Sequence, residues 1–160
     1  MKKNERPKVL LVAEDDVDHY LLLKEAFEKL GPLTELRHVL DGEELTDYLF
    51  RQGKFQDPGD SPRPDLILLD LNMPRKDGRE ALKEIKSDPV LRRIPVIILT
   101  TSRAEEDVLQ SYELGANSFL RKPLGFNQWV ELAQAFGQYW FHTVELPRHA
   151  ADEIDETATP

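Results

Sequence analysis

The sequence predicts an α/β protein of three layers: a doubly wound, five-stranded parallel sheet between two layers of helices. Short apolar runs such as Leu66-Ile67-Leu68-Leu69 show neither helical nor alternating period, the pattern of a strand buried on both faces. Stretches with apolar residues at helical spacing separate these runs. Most of the strand runs end in a polar residue that meets a turn, and Asp70 before Asn72-Met73-Pro74 is the plainest case. Strand then helix, five times over, selects parallel pairing through right-handed crossovers.

Residues 9–13 form the first strand and close on Glu14-Asp15-Asp16. Asp16 reads as the cap of a helix whose apolar positions include Tyr20, Leu23, Phe27 and Leu30, and which Gly31-Pro32 stops. Residues 36–40 are the second strand, ended by Asp41-Gly42, and 43–50 a helix with Leu45, Tyr48 and Leu49 on one side. The stretch 52–64 is rich in Gly, Pro and Asp and reads as an exposed loop. After the Asp70 strand, Asp77-Gly78 precedes a helix over 79–86.

Residues 94–99 are the fourth strand, with Thr100-Thr101-Ser102 at its carboxyl edge. A helix over 104–114 stops at Gly115, and 117–121 make the fifth strand before Lys122-Pro123. The last helix, 126–141, carries Phe126, Val130, Leu132, Ala133, Phe136 and Trp140 at helical spacing. An extended piece, 143–147, and a polar tail follow. The expected organisation is a disordered amino terminus (1–7), one domain (8–142), and a carboxyl-terminal extension and tail (143–160).

Composition narrows the function. The 160 residues hold 21 basic and 30 acidic side chains, a formal net charge of -9, which repels nucleic acid and anionic membrane surfaces. Cysteine is absent, so disulfides and thiolate metal sites are excluded. The polar start, Met1 to Pro7, leads into only five apolar residues, too few for a signal peptide. No run reaches transmembrane length. The expectation is a cytoplasmic protein with neither a nucleic-acid nor a membrane partner.

Chemistry gathers at the strand ends: Glu14 and Asp15 after the first strand, Asp70 after the third, Thr100 on the fourth, Lys122 after the fifth. In a doubly wound sheet these ends converge on one crevice. Crowded carboxylates raise one another's pKa unless a cation joins them, and Mg²⁺ takes one or two carboxylates together with phosphate oxygens. A hydroxyl and an ammonium nearby suit the remaining oxygens of a phosphoryl group.

Glu14-Asp15, the Asp70-Leu71-Asn72-Met73-Pro74 turn with Asp77-Gly78 behind it, Thr100, and Phe119 ahead of Lys122-Pro123 together resemble a response-regulator receiver domain. The resemblance spans roughly residues 8–140 and implies the flavodoxin-like (βα)5 receiver fold. By that resemblance, Asp70 is the phosphoacceptor, charged from a histidine on a partner kinase. Asp15, Asp70 and the main-chain carbonyl of Asn72 would hold Mg²⁺ or Mn²⁺, with Glu14 helping through a water. Lys122 would pair with the carboxylate and then the phosphoryl oxygens, its bond to Pro123 being cis. Thr100 would turn toward the phosphoryl group and Phe119 would rotate into the space it leaves. Asn72, Thr101 and Ser102 would tune phosphoryl lifetime. At most slow self-dephosphorylation would follow, so the chain is not expected to be a turnover enzyme.

The loop at 52–64, Arg92-Arg93-Ile94-Pro95, Thr100-Thr101-Ser102 and the aromatic last helix are similar to the stand-alone regulators paired with bacterial phytochrome kinases. A sensor histidine kinase, a phytochrome among the candidates, is the implied partner. Phe136, Tyr139, Trp140 and Phe141, with Val144 and Leu146 beyond, exceed what one helix face can bury. They predict a symmetric homodimer through the fourth helix, fifth strand and fifth helix; the alternative is a tail folded back over its own domain. The histidines, His19, His38, His142 and His149, have no ligand spacing and are given no role.

Two other classes compete. An aspartate-nucleophile phosphohydrolase wants a general acid two residues after the nucleophile, where this chain has Asn72. A flavodoxin-like carrier wants a phosphate-cradling loop where this chain has Glu14-Asp15-Asp16. A receiver-like scaffold that takes no phosphate is a third reading.

Overall fold

The computed structural model describes residues 6–32 and 34–147. β1 (Lys8–Ala13), β2 (Thr34–Val39), β3 (Leu66–Leu69), β4 (Val96–Thr100) and β5 (Ser118–Arg121) form one sheet in the order β2-β1-β3-β4-β5. Every pairing in it is parallel. The four apolar residues of β3 are all buried, because that strand lies at the centre and helices cover both its faces. The winding reverses between β1 and β3, which opens the crevice at their carboxyl ends.

The helices are α1 (Val17–Glu28), α2 (Gly42–Phe50), α3 (Gly78–Ser87), α4 (Glu105–Glu113) and α5 (Phe126–Gly137). Asp16, Asp41 and Asp77 each cap the helix that follows, accepting a backbone N–H one turn on. One core layer joins Leu10, Val12, Leu66 and Leu68 to Leu23 and Phe27 of α1 and Trp129 and Phe136 of α5. The other joins Leu11, Ile67 and Ile98 to Leu45 and Leu49 of α2 and Leu82 of α3. In α4 only Ser111 is buried, so this helix rests lightly on the sheet.

The structure differs from the sequence expectation in four places. First, the stretch after α2, though largely exposed as expected, carries structure of its own. Gly53–Phe55 make a 3₁₀ turn, Phe55 packs on Tyr48 with ring centroids 5.1 Å apart, and buried Ser61 donates to Phe55 O at 3.0 Å. The Tyr48 hydroxyl donates to Pro62 O at 2.6 Å, so proline here punctuates a folded flap. Second, Arg6, within the stretch expected to be disordered, bonds the carboxylate of Asp65 at 3.1 Å. Residues 1–5 and 148–160, the rest of the expected amino-terminal stretch and tail, lie outside the described residues.

Third, the last helix does not continue in α form to 141. A π turn, Gln138–Thr143, follows α5, closed by Val144 N donating to Tyr139 O at 3.0 Å. Trp140, at ordinary helical spacing from Phe136, and Phe141, whose register the wider turn shifts, both pack on the α1–α5 layer. Phe136, expected at a dimer face, is a core residue 5% exposed, edge-on to Phe27 at 5.6 Å and Phe141 at 5.8 Å. Leu146 also packs on this layer, and of the aromatic group only Tyr139 stays largely exposed. The fold-back alternative fits these side chains better than free aromatic surface does. No strand forms over 143–147: Thr143 still belongs to the turn and only then does Val144 become extended.

Fourth, Lys122–Pro123 is trans, as are all the peptide bonds among the described residues. For X–Pro the trans isomer remains the lower in energy by about 0.5–1 kcal/mol.

Candidate functional site

Backbone bonds between strand ends set the depth of each functional side chain. Glu14 N donates to Val39 O at 3.0 Å, Asp70 N to Ala13 O at 3.1 Å, and Lys122 N to Thr100 O at 2.9 Å. Adjacent strands therefore end level, and their first polar residues face one another across the crevice. Glu14, Asp15 and Asp70 each bring an oxygen into a set lying within 4.8 Å of one another. Glu14 and Asp70 are buried and Asp15 is exposed, so the trio opens to solvent on one side.

Lys122 reaches across from β5 into this acidic cup. Its Nζ lies 2.5 Å from Glu14 Oε1 and 2.7 Å from Asp70 Oδ2, and its side chain is only 4% exposed. The other Asp70 oxygen accepts from Asn72 N at 3.3 Å. Burial pushes the Glu14 carboxyl up to about 7, against the lowering pull of the Lys122 hydrogen bond and charge. Burial also works against the Lys122 charge, but the hydrogen bonds it donates to Asp70 and Glu14, with their charges, outweigh it and hold its pKa above the ordinary value. The lysine stays an ammonium.

The remaining expected residues lie on β4, in the loop after it and on β5. Thr100 is fully buried, its Oγ1 accepting from Ser102 N at 3.4 Å. Ser102 Oγ is committed to Asp107 Oδ2 at 2.5 Å, and Thr101 is exposed. Phe119 is half-buried against the α2–α3 core layer.

Two histidines that the sequence left without a role are part of the site. His19 Nδ1 lies 3.0 Å from Lys122 Nζ, and His38 Nε2 lies 2.7 Å from the carbonyl of Glu14 while its ring stacks on Tyr20 at 3.7 Å. Neither has a ligand spacing, since each reaches the site across the fold. The one local signal was His19 standing three residues after the Asp16 cap, a position that leans back over the start of its helix.

Three oxygens this close suit one hard divalent cation, whose ligands are carboxylates, carbonyls and waters. A carboxylate beside a buried ammonium at such a cation site can take up a group that carries its own negative charge. A doubly wound domain with this strand order and this edge belongs to the class of phosphoryl-accepting switch domains.

Comparison with known proteins gives the same class. Residues 10–134 match the response regulator receiver domain, and the chain belongs to that family. It is 44% identical over 141 residues to response regulator Rcp1 of Synechocystis sp., covering 88% of this chain and 94% of that protein. The Mn²⁺-bound crystal structure of Rcp1 superposes with a TM-score of 0.81, covering 89% of this chain and all of that one (100%). The phosphorylated cyanobacterial phytochrome response regulator RcpA, 40% identical, covers 89% of this chain and 99% of its own with a TM-score of 0.82. The R. palustris response regulator RPA3017, in red light signaling, gives 0.82 at 38% identity, covering 88% of this chain and 99% of that one.

Proposed function

We propose that Asp70 accepts a phosphoryl group from a phosphohistidine of a sensor kinase, in a reaction that needs Mg²⁺ or Mn²⁺ at Glu14, Asp15 and Asp70. The observation that carries this reading is the Asp70 carboxylate held 2.7 Å from a buried ammonium within the acidic trio. An oxygen of Asp70 attacks phosphorus and forms the new P–O bond. The P–N bond to the kinase imidazole breaks, and its electron pair leaves with the imidazole. The cation supplies charge neutralisation that lets an anionic nucleophile approach an anionic phosphoryl group. Asp15, Asp70 and the carbonyl of Asn72 would hold the cation directly, with Glu14 helping through a water. Lys122, already at Asp70, turns its ammonium to the phosphoryl oxygens.

The signal then leaves through packing. Thr100 and half-buried Phe119 are the paired switch residues, and lightly seated α4 is the element they bias. In this reading Asn72, Thr101 and Ser102 tune the lifetime of the phosphoryl group. Leu109 and Tyr112 of α4, 62% and 49% exposed, with Tyr139 supply apolar surface for a second copy of the chain. The chain works as a signalling protein with slow self-dephosphorylation, and a phytochrome-type histidine kinase is the partner that the relatives suggest. No helix among the described residues is long and apolar enough to cross a membrane.

Intact-mass spectrometry after incubation with acetyl phosphate and Mg²⁺ tests the acceptor. One added phosphoryl mass on the native chain and none on Asp70→Asn is expected. Equal addition to both would overturn the assignment. Sedimentation of the Leu109→Arg, Tyr112→Arg double variant tests the dimer face, with a shift toward monomer expected.

A further inference from the structure

An ammonium has three N–H donors, and Lys122 has three acceptors around it. Two are the carboxylates of Glu14 and Asp70; the third is His19 Nδ1 at 3.0 Å. We infer that His19 is a positioning residue for Lys122: its Nδ1 lone pair is the fixed third point that keeps the ammonium poised over Asp70. The inference rests on the Asp70 acceptor reading for its functional meaning, though not for its geometry.

On its other side the ring faces the carboxylate that caps its helix. Because Lys122 donates to Nδ1, the neutral imidazole carries its proton on Nε2. Nε2 lies 3.6 Å from Asp16 Oδ2, and Asp16 Oδ1 accepts from His19 N at 3.2 Å. One carboxylate thus caps the first turn of α1 and lies close to the ring that this turn carries. Glu14 Oε1, 4.0 Å from Nδ1, is the next nearest anion. His19 has about a third of its side chain exposed, so burial alone does not force the contact.

The reaction weakens the other two acceptors. Phosphorylation turns the Asp70 carboxylate into an acyl phosphate, whose remaining carbonyl oxygen is a poorer acceptor than a carboxylate oxygen, and a cation held by the acidic trio would compete with Lys122 for Glu14. His19 is the acceptor that phosphoryl transfer leaves in place, and it lets Lys122 redirect one N–H to the incoming group without leaving the lip of the cup. Its loss therefore slows transfer while leaving donor and cation binding alone.

The test measures phosphorylation by acetyl phosphate at saturating Mg²⁺ in the native chain, His19→Ala and His19→Asn, whose amide oxygen returns an acceptor near the Nδ1 position. The expected result for His19→Ala is a maximal rate about fivefold lower, the worth of one hydrogen bond. Half-saturating acetyl phosphate and Mg²⁺ should move by less than about twofold, and His19→Asn should recover most of the rate. A native-like or faster rate in His19→Ala overturns the inference, as does a His19→Asn chain as slow as the alanine variant. Imidazole ¹⁵N shifts in the unphosphorylated native chain give a readout independent of phosphoryl chemistry. A proton on Nε2 with a bare Nδ1 supports the contact, and a proton on Nδ1 overturns it. A native chain that gains no phosphoryl mass yet shows the bare Nδ1 refutes the acceptor reading and upholds the lysine contact.

Discussion

Arg79, in the first turn of α3, donates through Nη2 to Asp107 Oδ1 of α4 at 2.6 Å, while the Ser102 hydroxyl holds the other oxygen at 2.5 Å. One carboxylate thus ties the loop after β4 and the start of α4 to the helix that begins just behind Asp70. Since α4 buries so little of its own surface, this tie carries much of its attachment. The Ser102 hydrogen bond, and then Arg79, hold the Asp107 carboxyl below its ordinary value of 3.8. A lowered acid stabilises the fold above its unfolded pKa and loses that contribution as pH falls through the folded one. The tie is therefore constant between pH 5 and 8 and fails only in strong acid. Asp107→Ala should cost about 0.5–1 kcal/mol in urea unfolding, since both partners are partly solvated. Amide exchange in α4 should accelerate far more than in α3.

Lys122 is the counter-charge of the whole cup. Replacing it with methionine keeps the apolar stem but leaves Glu14 and Asp70, both buried, facing each other without a cation. Breaking a buried pair from one side costs roughly 3–5 kcal/mol. Unfolding of Lys122→Met in metal-free buffer should show a loss of that order, with a substantial part restored by millimolar Mg²⁺. A variant indifferent to Mg²⁺ would mean that the carboxylates do not share a cation site.

Glu14 makes the same point through pH. Its carboxyl is pushed up to about 7 by burial, from an ordinary 4.5. For an acid raised in the folded state, the contribution to stability is complete below pH 4.5 and is lost as pH rises through about 7. Metal-free protein should thus become easier to unfold as pH rises from 4.5 to about 7, with little further change above that, and Glu14→Gln should flatten the slope. Cation binding must expel the proton, so the apparent Mg²⁺ affinity should weaken as pH falls below about 7. Calorimetry in two buffers of different ionisation enthalpy reads the released proton directly.

The fold was legible because its signals are local. The unbroken apolar run of β3, the aspartates before α1, α2 and α3, and the polar residues at the strand ends each follow from a few neighbouring positions. Glu14, Asp15, Asp70 and Lys122 were placed together by topology alone, and the structure brings them into contact. His19 and His38 were missed because their contacts join α1 and β2 to β5 and β1, at separations no motif spans. The carboxyl-terminal aromatics misled for another reason. The π turn after Gly137 sets Phe141 beside Trp140 on the α1–α5 core layer, and apolar spacing counted at 3.6 residues per turn accounts for Trp140 but not for Phe141.

Gly78 bears the closest approach in the site. A Cβ there would lie 2.2 Å from the carbonyl oxygen of Asp70 and 2.8 Å from Leu71 Cα, both backbone atoms that no side-chain rotation can clear. The same residue donates its N–H to Leu71 O at 2.9 Å, so the start of α3 is braced against the acceptor loop. Gly78→Ala must push that loop, and Asp70 with it, away from Lys122. The expected cost is about 1–3 kcal/mol from overpacking, with a loss of phosphorylation rate larger than the loss of stability explains. Gly31→Ala is the control: its φ of +96° strains an added Cβ, but nothing lies within 4 Å of it. That substitution should cost only about 1 kcal/mol and leave phosphorylation at the native rate. If both variants lose phosphorylation in proportion to stability, the approach of Gly78 to Asp70 matters for folding and not for the site.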